Sequence, residues 1–134
     1  GPRQRPDMAT HRLVEAALGG DPFPLFGDGS AVRDFTYVDD VVAANLAAAA
    51  ADVEPGTVVN IAGGGQTTMA DLITLVGNSA GREVPVRHEP AQPGDVRRTG
   101  GTIDRARTLL RWEPQVDVET GVRRQVEWHR GRRS

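Results

Sequence analysis

Gly27-Asp28-Gly29-Ser30-Ala31-Val32-Arg33-Asp34-Phe35-Thr36-Tyr37-Val38-Asp39-Asp40 holds the signals of a turn, a strand and a helix start in one short stretch. Glycine supplies positive φ in the turn at 27–30, and an aspartate side chain there can bond its own backbone two residues on. Residues 32–38 are rich in β-branched and aromatic side chains and predict a strand. Alternation puts Arg33, Phe35 and Tyr37 on one face and Val32, Asp34, Thr36 and Val38 on the other. Asp39 then predicts an N-cap for an alanine-rich helix ending near residue 52, its small side chains suited to close packing against a sheet.

On the N-terminal side, Asp7 predicts the cap of a helix over 8–18 that Gly19 and Gly20 stop, followed by an extended piece at 24–26. On the C-terminal side, 57–62 predicts a buried strand and Gly63-Gly64-Gly65 a loop. Thr68 with Asp71 reads as a capping box opening a helix through 76, and 84–88 as a short strand. Two prolines and three glycines between 89 and 101 give loop composition. A short helix over 102–110 ends at Trp112-Glu113-Pro114. Asp117 caps a last helix whose inward side is expected to include Val118, Val122, Val126 and Trp128. Strands separated by helices imply one mixed α/β domain.

All 16 basic residues are arginine, and the chain has no lysine. That excludes Schiff-base chemistry, a P-loop and a Tyr-x-x-x-Lys proton relay. There is no cysteine, hence no disulfide framework or thiolate metal site, which suits a reducing, cytoplasmic setting. The histidines, His11, His88 and His129, are too far apart in sequence to make a ligand pattern, so no metal site is expected. The longest apolar run, 41–51, is interrupted by Asn45 and too short to span a bilayer, so no membrane partner is expected. With 18 acidic residues and a net charge of -2, nucleic acid is not an expected partner either. The arginines at 123, 124, 130, 132 and 133 read as a frayed, solvated helix end.

No complete catalytic constellation stands out. The glycine triplet at 63–65 invites a phosphate-loop reading, yet the dinucleotide fingerprint fails at Thr68 and the turn reading is favoured. Arg33, next to Asp34 and after a Gly-x-Gly turn, is either an edge-strand ion pair or a fork held ready for a diphosphate. The loop Gln92-Pro93-Gly94-Asp95-Val96-Arg97-Arg98 is either plain surface or a flap offering a carboxylate to sugar hydroxyls and guanidinium groups to phosphate.

Four segments in order carry a resemblance. Gly1-Pro-Arg-Gln-Arg-Pro-Asp-Met-Ala9, the stretch at 27–40, Pro93-Gly94-Asp95-Val96 with the later Trp112-Glu113-Pro114, and Gly121 through Glu127-Trp128 together resemble the C-terminal part of nucleotide-sugar epimerases and dehydratases. These are extended short-chain dehydrogenases, and the Gln-Pro-Gly-Asp-Val form leans toward 4-epimerases of UDP-sugars. The resemblance implies an α/β substrate-binding part of about 40% of a full enzyme, by the usual size of the fold. The NAD-binding domain, its glycine loop and the catalytic Tyr-x-x-x-Lys are not in this sequence. NAD is therefore the cofactor of the parent family and none is expected for this chain alone, which is expected to be inactive by itself. The partner implied is a nucleotide sugar. Met8 and Ala9 would lie by the sugar and diphosphate, Pro24 and Phe26 would hold the base, Arg33 the diphosphate and Asp95 the ribose, with Asn60 near the nucleotide. Gln92 stands where many relatives have a second phosphate-binding arginine, a role left to Arg97 or Arg98, and Thr10 where an aromatic is common. A dehydratase or reductase of the same family and a stand-alone binding module are the competing readings. An apolar interface left open by the absent half implies self-association.

Overall fold

A computed structural model describes residues 1–133. Its elements follow in order as α1 (Ala9–Ala17), β1 (Phe23–Phe26), β2 (Val32–Arg33), α2 (Val38–Ala50), β3 (Thr67–Thr68), α3 (Met69–Ala80), β4 (Val86–Glu89), α4 (Asp104–Leu110) and α5 (Val118–Arg133). The mixed α/β class expected from the sequence is what forms. It is built as two small cores rather than one sheet covered by helices.

The first core joins α1, α3 and α5. Apolar residues at helical spacing bury one face of each: Leu13, Val14 and Ala17 on α1, Leu72, Val76 and Ala80 on α3, Val122 and Val126 on α5. Phe23 and Leu25 of β1 close this core from the sheet side. β1 runs parallel to β4, Phe23 facing Val86 and Phe26 facing Glu89. The Phe23 and Gly27 N–H groups donate to the Pro85 and Glu89 carbonyls at 2.8 and 3.0 Å. The α5 stripe is Val118, Val122 and Val126 as expected, continued by buried Gln125 and His129, while Trp128 is only half-buried.

The second core lies between α2 and α4, where Ala44 packs with Ala62, Ile103, Ala106, Leu110 and Trp112. The opposite face of α2 leaves Val38, Val41, Val42 and Leu46 exposed. No helix among the described residues is long and apolar enough to cross a membrane.

Several boundaries depart from the sequence expectation. The strand at 32–38 is ordered as a ladder only at Val32 and Arg33, antiparallel to Thr67 and Thr68. Residues 57–62 form no strand, because no described segment pairs with them and β-propensity needs a neighbouring ladder to be realised. Helix α2 starts at Val38 with Tyr37 in the extended N-cap position and Asp39 and Asp40 inside the first turn. Negative charge is favoured there by the helix dipole. Helix α1 starts after Met8, without a side-chain cap from Asp7, whose carboxylate pairs with Arg5 instead. The Thr68–Asp71 capping box is present, and α3 runs on to Ala80, where Gly81 at φ 67° ends it. The basic end of α5 is helical as far as Arg133, and the arginines at 123, 124, 130 and 132 are exposed as expected; Arg130 also donates to the Ala80 carbonyl at the end of α3 at 2.6 Å. The Arg132 guanidinium lies 4.8 Å from the Trp128 ring centroid.

Candidate functional site

Arg33 stands at the end of β2 with its side chain 24% exposed. One terminal nitrogen donates to the Val32 carbonyl at 2.9 Å and the other to Asp95 Oδ1 at 2.8 Å. Sequence reasoning named both residues, and the fold brings them together across 62 positions. Asp34, the adjacent acid considered as the ion-pair partner, is engaged elsewhere: its Oδ1 accepts the Gly63 N–H at 2.6 Å.

Backbone pairing delivers Asp95. The Val32 N–H donates to the Arg97 carbonyl at 2.9 Å, and the Thr99 N–H to the Val32 carbonyl at 3.1 Å, so the end of the 89–101 loop lies against the free side of β2. Upstream, the Asp95 N–H closes a turn onto the Gln92 carbonyl at 3.2 Å. Pro93 and Gly94 at φ 84° fill its centre, the residue pair a type II turn requires. Gln92, Arg97 and Arg98 are exposed along the same loop. Of a guanidinium's five N–H donors, two are committed inside the protein, and three are left for an anion.

Pro24 is buried in β1 and the Phe26 ring is exposed at its end. Backbone groups of a strand point alternately to its two edges. With the Phe23 and Gly27 N–H groups committed to β4, the Pro24 carbonyl and the Phe26 N–H face the other edge of β1. At the start of α1, Met8 is exposed, no acidic side chain occupies the first turn and no side chain caps it, which leaves helix N–H groups suited to an anion. Asn60 is exposed, beside Gly101. Thr10 is buried. A groove of about 1200 Å³ between α1, α3 and the β1–β4 pair contains neither Arg33 nor Asp95, and is a separate feature.

The glycine triplet is accounted for by packing. A Cβ on Gly63 would collide with the Phe35 carbonyl oxygen, and Gly64 has φ 73°. The helix that follows is already closed by its own capping box, with the Asp71 carboxylate at its N-terminus, which repels rather than attracts phosphate. The triplet and the helix after it therefore do not fit the phosphates of a dinucleotide. Tyr37 is buried, with the Arg124 guanidinium 5.3 Å from its ring centroid, and serves packing.

The model of the NAD dependent epimerase/dehydratase family matches residues 1–62. The UDP-glucuronate 4-epimerase of Thermodesulfobacterium geofontis is 34% identical over 135 residues, which are 96% of this chain and 39% of that protein. The crystal structure of the UDP-glucuronic acid 4-epimerase of Bacillus cereus, in complex with UDP-glucuronic acid and NAD, superposes with a TM-score of 0.91 at 36% identity. That match covers 98% of this chain and 42% of the other. The chain belongs to the NAD-dependent epimerase/dehydratase family. Its mixed α/β architecture is that of the C-terminal part of these epimerases. The dTDP-glucose 4,6-dehydratase of Bacillus anthracis, solved in complex with NAD, is also similar, with a TM-score of 0.87 at 27% identity over 98% of this chain and 41% of that one. The chain spans about two-fifths of the length of the curated family members it matches.

One constellation was missed. Spacing left the three histidines unconnected, but the packing of α1 on α5 brings His11 and His129 to 4.7 Å between ring centroids, with Glu15 beside them. Burial holds the His129 imidazole below its ordinary pKa, as does the neighbouring His11, against the Gln125 carbonyl and the Glu15 carboxylate, which favour its proton. The legible part of this signal was His11 and Glu15 four apart on one helix face. The third member lies 118 positions after His11 and is supplied only by the fold.

Proposed function

We propose that this chain holds the nucleotide sugar in a UDP-sugar 4-epimerase, while hydride transfer to and from NAD belongs to residues outside this sequence. The observation that carries the reading is the meeting of Arg33 and Asp95 across 62 positions of the chain. A planar donor fork suited to a diphosphate and a carboxylate suited to ribose hydroxyls share one rim. Around that pair, the outward Pro24 carbonyl and Phe26 N–H offer an acceptor and a donor to the edge of a pyrimidine, and the Phe26 ring a face. The first N–H of α1, at Ala9, is available to the diphosphate, while the Met8 N–H donates to the Arg5 carbonyl at 3.1 Å and Met8 can contribute only its exposed side chain. Asn60 adds an amide near the nucleotide. Gln92 can hydrogen-bond but cannot neutralise, which leaves the second phosphate charge to Arg97 or Arg98.

Calorimetric titration of the chain with UDP-glucuronic acid and with UDP tests the assignment. Binding is weak, because an open rim lacks the enclosure of a pocket. Arg33→Ala weakens it at least about tenfold, the loss of a charged hydrogen-bond pair. Equal affinities of the two proteins would remove Arg33 from the site. The chain with NAD and UDP-glucuronic acid gives no epimerised product, and detectable turnover would overturn the division of labour.

The likeness to the Bacillus anthracis dehydratase supports a second reading, nucleotide-sugar dehydration by the whole protein. Product mass separates the two, since epimerisation conserves it and dehydration removes one water. The exposed valine and leucine stripe of α2 supports self-association, tested by light scattering. A monomer at every concentration would count against it.

A further inference from the structure

We propose that His11, Glu15 and His129 bind a divalent transition-metal ion of the zinc type, clamping α1 to α5. One candidate ligand atom from each of the three lies within 4.8 Å of the others. His129 is 3% exposed, and its Nδ1 lies 2.9 Å from the Gln125 carbonyl oxygen. A carbonyl can only accept, so the Nδ1 carries the proton and Nε2 presents a lone pair. That Nε2 is buried without a hydrogen-bond partner among the described residues, and so is His11 Nδ1. Glu15 Oε1 stands 3.5 Å from His129 Nε2. Two ring nitrogens and a carboxylate oxygen therefore gather in a place where neither nitrogen has a hydrogen-bond partner, a costly arrangement that a cation between them would relieve.

A proton on His129 is one such cation, but burial and the adjacent His11 ring oppose it, and a single proton cannot also engage His11. A metal ion engages all three. Two imidazoles and one carboxylate form a donor set that zinc accepts, with a fourth position left for water. Ligands about 2.1 Å from a tetrahedral ion stand about 3.4 Å apart, close to the 3.5 Å separation of Nε2 and Oε1. His11, whose ligand atom lies within 4.8 Å of the other two, must turn its ring to reach that spacing. The Gln125 carbonyl fixes the His129 tautomer and ring orientation as an outer-shell partner does at metal sites. Glu15 can keep its other contacts, because a carboxylate offers about four lone-pair positions. The cation that opposes the ion is Arg132, whose guanidinium is turned onto the Trp128 ring.

The test uses the chain without a histidine tag, stripped with a chelator and dialysed, then titrated with Co²⁺ and Zn²⁺. One equivalent of Co²⁺ is expected to give the visible absorption of a tetrahedral site, displaced by Zn²⁺, and excess Zn²⁺ to raise the thermal midpoint by several degrees. His11→Ala and Glu15→Gln change half-exposed residues, so both variants should fold, as circular dichroism can verify. Each is expected to lose the tetrahedral band and to weaken Zn²⁺ at least about tenfold. Absence of a one-to-one Co²⁺ spectrum in the wild type would overturn the proposal. So would equal Zn²⁺ binding by wild type and both variants, which would put the ion on surface carboxylates elsewhere.

Discussion

Asp40 and Asp95 each meet partners far away in the chain, and they do opposite work. Asp40 is 4% exposed. Its two carboxylate oxygens accept the Gln115 and Val116 N–H groups at 3.0 and 3.1 Å, and its carbonyl accepts the Trp112 indole N–H at 3.0 Å. Asp95 has its side chain 50% exposed and meets one guanidinium. A buried carboxylate whose oxygens are both engaged fixes how α2 receives the segment between α4 and α5, and no acceptor capacity is turned outward. A rim carboxylate with water on one side contributes little to stability and keeps lone pairs for a ligand. Both contacts begin from the stretch at 27–40, Asp40 directly and Asp95 through Arg33, so one piece of sequence serves structure at one end and the candidate site at the other.

The largest effect is expected where the contrast is sharpest. Asp40→Ala strands two backbone N–H groups at a part-buried position and should cost about 3 kcal/mol, lowering the thermal midpoint by about 10 °C in a chain of this size. Denaturant titration checks it, and a loss no larger than that of Asp95→Ala would erase the distinction. Trp112→Phe keeps most of the buried ring but removes the indole donor, so the Asp40 carbonyl, which lies within α2, loses the second of its two bonds. A loss of about 1–2 kcal/mol is expected by the same measurement.

These two anchors mark what could be read before the fold was known. Local grammar was legible: the Thr68–Asp71 box, the turn at 27–30 and the apolar stripe of α5 are set by neighbours within a few residues. Arg33 and Asp95 were legible as residue types in a suggestive order, but their pairing depends on loop residues 97–99 lying along β2, which no local pattern encodes. Residues 57–62 have the composition of a strand, but a strand needs a partner, and pairing is decided at a distance. Asp40 was hidden for the same reason, since the helix start was read from Asp39 alone and the role of Asp40 comes from the segment at 115–116 folding back onto it.

The middle of the range tests the other side of the comparison. Arg33→Ala is expected to change stability by no more than about 0.5 kcal/mol, because a rim ion pair is worth little and the side chain is replaceable by water. The same variant should lose most of the UDP affinity, so stability and binding move apart. In Asp40→Ala, stability falls far below that of the wild type. A stability loss in Arg33→Ala approaching that of Asp40→Ala would make the rim pair structural.

The smallest effect concerns a third aspartate of the same stretch. Asp28 is fully exposed, like a site residue, yet its Oδ1 accepts both the Ser30 N–H at 2.9 Å and the Ser30 hydroxyl at 2.6 Å, like an anchor. Those bonds, the hydroxyl first, hold its carboxyl below the usual value of 3.8. A group with a lowered folded pKa adds stability that is present above about pH 3.8 and lost as pH falls through the folded value. The substitution Asp28→Asn keeps an acceptor for the turn but removes the charge. The variant should therefore be slightly less stable than the wild type at neutral pH, and the gap should close as denaturation is followed into acid. A gap that persists unchanged to the acid end would mean that the turn needs the shape of the carboxylate rather than its charge. Partners, more than exposure, would then divide structural from site aspartates in this chain.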